Sequence, residues 1–399
     1  MAMSTVPGAA IKNITALRMK PSRWVILHLA GWYLLLISLH YLNQRPLWND
    51  EQCIFLNIKN YSLTDLFSKP LLADQAFPRF YLLMIQSFSG NFFFHLWSLR
   101  FLPFICMIAA FGLWVKIASK ELKSHTSWAI YILCWAASVR LVYYASELKQ
   151  YSMDVLVSGV CLWCLYRGFN RWWYVLPFFC FVSYPSVFWM PLFAWNLLAW
   201  GKDNRQWRPL IIYIGIALSA LLLFYYFDVR VSGNNALSVY WHDYFISFDS
   251  PRVFFDTLGK SLNNLISRWF ADKPYWIRGA SRFLVGIGFV YMLGSFWHRF
   301  KSDRFLFKSV VPAAFGVFFM HLIFGAMHKY PFVNPRTSLF FAPMLLMMTV
   351  TAMEGLRGYN KILGSVLQWS FVIFLVIVSA GIAKIIATGT LGFGSVLWQ

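Results

Sequence analysis

The chain has 399 residues, 59% of them hydrophobic and only 13% charged, and a mean hydropathy of +0.56, which excludes an ordinary water-soluble domain. Its net charge of +20 comes from short Lys and Arg clusters set between apolar runs. That pattern suits anionic headgroups or phosphorylated lipids rather than nucleic acid, and the expected fold class is an all-α polytopic membrane protein.

Lys12, Arg18, Lys20 and Arg23 precede the first apolar run, and no small-residue cleavage site follows it. Residues 1–22 are therefore expected to be a cytoplasmic segment ahead of an uncleaved helix, with 23–399 forming a single transmembrane domain. A spanning helix needs about 20 apolar residues, and the runs divide into about eleven. They lie near 23–43, 95–117, 124–144, 149–167, 172–184, 186–200, 209–227, 278–298, 305–327, 337–354 and 362–387. Pro185 and Pro191, around the turn SYPS, are placed to break the fifth and sixth.

Alternate connections, beginning with the N-terminus, carry about half of the Lys and Arg, whereas the short connections on the other side are nearly uncharged. The positive-inside rule then puts the N-terminus in the cytoplasm and two long loops, 44–94 and 228–277, outside. Within the first loop, NDEQCIFLNIK and SLTDLFSK read as interfacial helices, and FPRFYLLMIQSF is too short to span. Cys161 and Cys164 form a CxxC, but they lie in an apolar helical run without the strand context of a redox motif.

With only 15 Asp and Glu in the chain, the pair Asp50–Glu51 just beyond the first helix stands out. A carboxylate partly desolvated at the membrane surface suits a base that takes the proton of an attacking hydroxyl, and Asp50 is the candidate. A simpler reading is that the pair only starts an interfacial helix, where acids complement the dipole. In YYASELKQYSMDVL, Glu147, Gln150, Tyr151 and Asp154 recur at helical spacing and share one face. Asp154 lies about one turn into an apolar helix, where ionisable groups face a bundle interior or a wet cavity. The cluster could equally be an interfacial set that ends a helix.

Cations expected to bind phosphate on the same side are Arg79, Lys149, Lys329 and Arg336, the last two in HKYPFVNPR beside His328. Arg100, in HLWSLRFLPFICM, is costly in an apolar helix unless it meets a carboxylate, and it is expected to orient Asp50 or Glu147. The eight histidines show no metal-site spacing; a divalent cation held by Asp50, Glu51 and Glu147 is compatible with the residue types but not required.

An Asp-Glu pair after the first helix, WNDEQ followed by FPRFYLL, a SELKQYS turn and a late YPFVNPR together resemble the GT-C membrane glycosyltransferases. The likeness is greatest to the branch containing protein O-mannosyltransferases and the lipid A aminoarabinose transferase. The resemblance implies a polyprenyl-phosphate sugar donor, with Asp50 as base, Glu51 assisting, and Glu147, Lys149 and Tyr151 in the second-loop segment. Where family members show a His or Lys before a PPLYY-like stretch, this chain has Ala76-Phe77-Pro78-Arg79-Phe80-Tyr81, which leaves Arg79 as the substitute cation. The acceptor class stays open among glycan, lipid and protein, and the implied location is a bacterial inner membrane with the site outside. The competing classes are a transporter or flippase, which would show two related halves with midplane charges, and a non-catalytic assembly partner, which gives the acidic residues no role.

Overall fold

The computed structural model describes residues 23–232, 239–271, 274–300, 307–332, 336–389 and 391. The expected cytoplasmic segment 1–22 lies outside these residues, as do 333–335 of the HKYPFVNPR turn. Every regular element among the described residues is helical, in keeping with a backbone that must satisfy its own hydrogen bonds in lipid.

The first span, α1 (Arg23–Leu42), leads into three short helices, α2 (Asn49–Asn60), α3 (Leu63–Ser68) and α4 (Arg79–Gly90). These are the three segments read as interfacial or too short to span. Ser62 caps α3 by accepting from the Asp65 N–H, while the Asp65 carboxylate reaches back to the Ser62 N–H, a reciprocal pairing that fixes the start of so short a helix. The three helices enclose their own apolar cluster, with Ile54, Leu66, Leu82 and Leu148 fully buried.

Next come α5 (Leu96–Glu121), α6 (His125–Ala137) and α7 (Val139–Tyr143). The axis bends by 62° at the α6–α7 junction, where Ser138 leaves the helix and caps α7 through the Leu141 N–H. After α8 (Tyr151–Arg167), the region expected to give two spans forms three 3₁₀ runs over 171–189 and then one helix, α9 (Met190–Asn204). Pro177 and Pro185, near the starts of the second and third runs, remove backbone donors at the points where α-helical hydrogen bonds would have to continue.

The remaining helices are α10 (Arg208–Phe224), α11 (Pro251–Ser267), α12 (Tyr275–Phe300), α13 (Val310–Ala326), α14 (Ala342–Tyr359) and α15 (Lys361–Ala387). α10 runs on through a π-turn, Tyr225–Val229, to Ser232. Six helices among the described residues are long and apolar enough to cross a membrane by themselves, and the bent α6–α7 pair makes a seventh. Eleven thus counts shorter and broken segments together with full spans.

α14 is the most enclosed span, buried along 78% of its apolar window, and it packs closely on α12. Gly288 permits that approach, because a Cβ there would stand 2.5 Å from the Thr349 backbone nitrogen. At one end of this bundle, the α1–α2 connection, the α7–α8 turn and the segment before α14 converge.

Candidate active site

The connection from α1 to α2 is NQRPLW, and it is pinned from below by Arg100, one turn into α5. The Arg100 guanidinium donates to the carbonyl oxygens of Arg45 (2.6 Å) and Pro46 (3.3 Å). It also grips the Glu51 carboxylate with two hydrogen bonds, Nη2 to Oε2 at 2.7 Å and Nε to Oε1 at 3.0 Å. The carboxylate that orients this buried arginine is thus Glu51, rather than Asp50 or Glu147.

Glu51 has little capacity left. Arg45 donates to Oε2 at 2.7 Å, the Trp48 N–H reaches the same oxygen at 3.3 Å, and the Leu148 N–H binds Oε1 at 2.8 Å. The Trp48 contact is the reach-back half of a capping box, which helps explain why α2 begins where it does. Burial raises the proton affinity of Glu51, but hydrogen bonds from Arg100, the charges of Arg100 and Arg45, and the Leu148 N–H outweigh it and hold its pKa below the ordinary value. Glu51 therefore ties the α1–α2 connection, α5 and the α7–α8 turn together as a buried anion.

Asp50, the preceding residue, faces differently because neighbours on a helix point about 100° apart. Its side chain is 28% exposed, and Oδ2 receives Arg336 Nη1 at 2.6 Å, with Lys149 Nζ at 4.0 Å. Arg336 also donates to the Tyr240 hydroxyl (3.3 Å), and its guanidinium lies 5.4 Å from the Trp241 ring and 6.0 Å from the Trp48 ring. Lys149 donates to the Gln75 amide oxygen at 2.8 Å. Burial lowers the Lys149 pKa, and the opposing charges of Asp50 and Glu147 only partly restore it.

Glu147 lies between these two sets. The Trp48 indole donates to Oε1 at 2.9 Å, while Oε2 is buried without a hydrogen-bond partner. Burial first, and then the charge of Glu51, push its pKa up to about 7, against Arg45, Lys149 and the Trp48 hydrogen bond. Gln150 Oε1 and Asp154 Oδ1 are likewise buried acceptors without donors, and Tyr151 is buried against Tyr144 with ring centroids 5.0 Å apart.

Two expected phosphate ligands are not part of this cluster. Arg79 is fully buried, and its guanidinium binds the carbonyl oxygens of Leu66 and Lys69 and the Ser232 hydroxyl. Its own N–H meets Asp228 Oδ2 at 3.2 Å, so it braces the α3–α4 region against the end of α10. Lys329 is exposed, and its side chain makes no hydrogen bond or ion pair among the described residues. No group of three or more His, Cys, Asp or Glu among the described residues is arranged to hold a metal ion. In the second long loop, Trp241 reaches the cluster through Arg336, whereas Trp269 is buried in the main core.

Sequence reading passed over Arg45, Trp48, Gln75 and Asp228. Arg45 and Trp48 shortly precede the acidic pair in QRPLWNDE, and an acid inside the apolar run YYFDV carries its own signal.

Comparison with known proteins gives a fold. No family model and no curated protein matches the chain. Two solved structures do: ArnT from Cupriavidus metallidurans bound to undecaprenyl phosphate, with a TM-score of 0.54 and 14% identity over 93% of this chain and 74% of that one. The apo form of the same protein gives a TM-score of 0.51 and 12% identity over 90% and 73%. The fold is that of ArnT. ArnT, the lipid A aminoarabinose transferase, is a GT-C enzyme. The resemblance drawn from WNDEQ, SELKQYS and YPFVNPR therefore agrees with the likeness in fold, and the chain is an integral multi-pass membrane protein.

Proposed function

We propose that this protein is a GT-C glycosyltransferase that moves a sugar from a polyprenyl-phosphate donor to a hydroxyl acceptor at the end of the bundle where Asp50 opens. The observation that carries the reading is one accessible carboxylate, Asp50, touching Arg336 at 2.6 Å and standing 4.0 Å from Lys149, two largely buried cations. A cation pair held in a poorly hydrated wall is a phosphate receptor, and in the free protein Asp50 neutralises it. The undecaprenyl phosphate bound in one ArnT structure supports the same donor class here.

In this reading the donor phosphate takes over Lys149 and Arg336 and frees Asp50. The acceptor oxygen attacks the anomeric carbon from the face opposite the phosphate, and its proton passes to Asp50. The bond between that carbon and the phosphate oxygen breaks, and its electron pair leaves with polyprenyl phosphate, whose added charge Lys149 and Arg336 stabilise. In-line displacement inverts the anomeric centre. The unpartnered acceptors Gln150 Oε1, Asp154 Oδ1 and Glu147 Oε2 suit the hydroxyl groups of a sugar. Glu51 holds the backbone from which Asp50 and Leu148 project. By the positive-inside reading, the site opens on the non-cytoplasmic face, in a bacterium the periplasm.

The test is transfer of radiolabelled sugar from a polyprenyl-phosphate donor pool by membranes containing wild type or Asp50→Asn at equal expression. Transfer by wild type alone is expected. Equal transfer by both would sink the assignment of Asp50.

A further inference from the structure

A second cationic feature lies at the other end of α5. Lys116 and Lys120, on the last turns of α5, and Arg167, the last residue of α8, all converge on the ring of Trp163. Lys120 Nζ is 4.3 Å from the ring centroid, Lys116 Nζ 4.7 Å and Arg167 Cζ 5.8 Å. Lys116 stands sixteen residues beyond Arg100 on one continuous helix, so this group lies roughly 24 Å along the axis from the Arg100 staple. It cannot belong to the site around Asp50.

Two ordinary effects place cations here: they complement the C-terminal dipoles of α5 and α8, and their stems lie along apolar surface. Neither effect gathers three like charges on one ring, since repulsion favours spreading them. None of the three forms an ion pair with a carboxylate among the described residues. The acids near this end are turned elsewhere: Glu121 accepts from the Val310 N–H at 3.1 Å, and Glu354 from the Lys123 N–H at 3.2 Å. All three cations are exposed and Trp163 is half-buried, as expected of an indole at a lipid–water boundary.

From this convergence we infer that Lys116, Lys120 and Arg167, gathered on Trp163, form a seat for the headgroup of one anionic phospholipid in the leaflet opposite the Asp50 site. The headgroup phosphate supplies the charge that the protein lacks there, and the indole packs against the glycerol region.

Native mass spectrometry of the detergent-solubilised full chain, titrated with phosphatidylglycerol, tests this without reference to transfer. The variant Lys116→Gln/Lys120→Gln/Arg167→Gln is expected to bind its first phosphatidylglycerol roughly 100-fold more weakly, from about 1 kcal/mol for each cation. A control, Lys202→Gln/Arg205→Gln/Arg208→Gln at the α9–α10 turn, should keep wild-type affinity. Should the first variant fail to fold, Lys116→Gln/Lys120→Gln, which leaves the last residue of α8 unchanged, takes its place with roughly a 30-fold loss. Unchanged affinity in the folded variant overturns the proposal, as does equal binding of zwitterionic phosphatidylcholine by wild type. Displacement of the lipid by inorganic phosphate at a comparable concentration would show that a free anion, not a lipid, is the ligand.

Discussion

Asp50 and Glu51 are adjacent acids in the first turn of one helix, yet they occupy opposite environments. Glu51 is fully buried and accepts hydrogen bonds from two arginines and two backbone N–H groups. Asp50 is partly exposed and meets its cations along one edge. A carboxylate with filled lone pairs and a lowered pKa is a poor proton acceptor and a good brace, whereas one whose partners a phosphate can take away is free to act. The same contrast separates the cations. Arg79 is held by two backbone carbonyls and the Ser232 hydroxyl, while Arg336 and Lys149 face the partly exposed Asp50.

The largest effect that would sharpen this comparison is on Glu51. Glu51→Ala leaves Arg45 and Arg100 buried without their anion and is expected to cost about 3–5 kcal/mol. It should appear as loss of the folded, monodisperse protein in detergent; a well-folded Glu51→Ala that only transfers slowly would move Glu51 into the chemistry. Asp50→Asn should cost less stability than Glu51→Ala, because Asp50 is partly exposed, while lowering kcat by roughly 10²–10⁴-fold, the usual contribution of a general base. Arg336→Gln should reduce kcat/KM for the lipid donor by roughly 10–100-fold, consistent with about 1.5–3 kcal/mol for a hydrogen bond to a charged group. Arg79→Gln provides the counterpart: lower stability by about 1–3 kcal/mol from unsatisfied buried carbonyls, with KM for the donor unchanged. A raised KM in Arg79→Gln would put that residue on the phosphate after all.

The smallest effect is a pH dependence. The folded chain holds the Glu147 proton up to about 7, against an ordinary value of 4.5. Its contribution to stability is thus fully present below about 4.5 and is lost as pH rises through about 7, since the folded state binds the extra proton in that window. Thermal midpoints measured from pH 5 to 8 should fall for wild type and fall less for Glu147→Gln. Parallel curves would mean that the neighbouring arginines keep Glu147 ionised throughout.

Hydropathy, charge asymmetry and the sparsity of acids were sufficient to read the membrane class, most span positions, the short helices of the first loop and the segments holding Asp50, Glu147, Lys149 and Arg336. These are local properties, because apolar run length and side-chain type do not depend on what folds against them. The tertiary structure alone decided which acid of the pair is closed, which carboxylate Arg100 meets, and that Arg79 is committed to carbonyls. Those outcomes rest on partners distant in sequence, 49 residues for Glu51 with Arg100, 97 for Glu51 with Leu148 and 286 for Asp50 with Arg336. The 3.6-residue period fixes that Asp50 and Glu51 point in different directions, but only the packing of α5, the α7–α8 turn and the segment before α14 determines what each one faces.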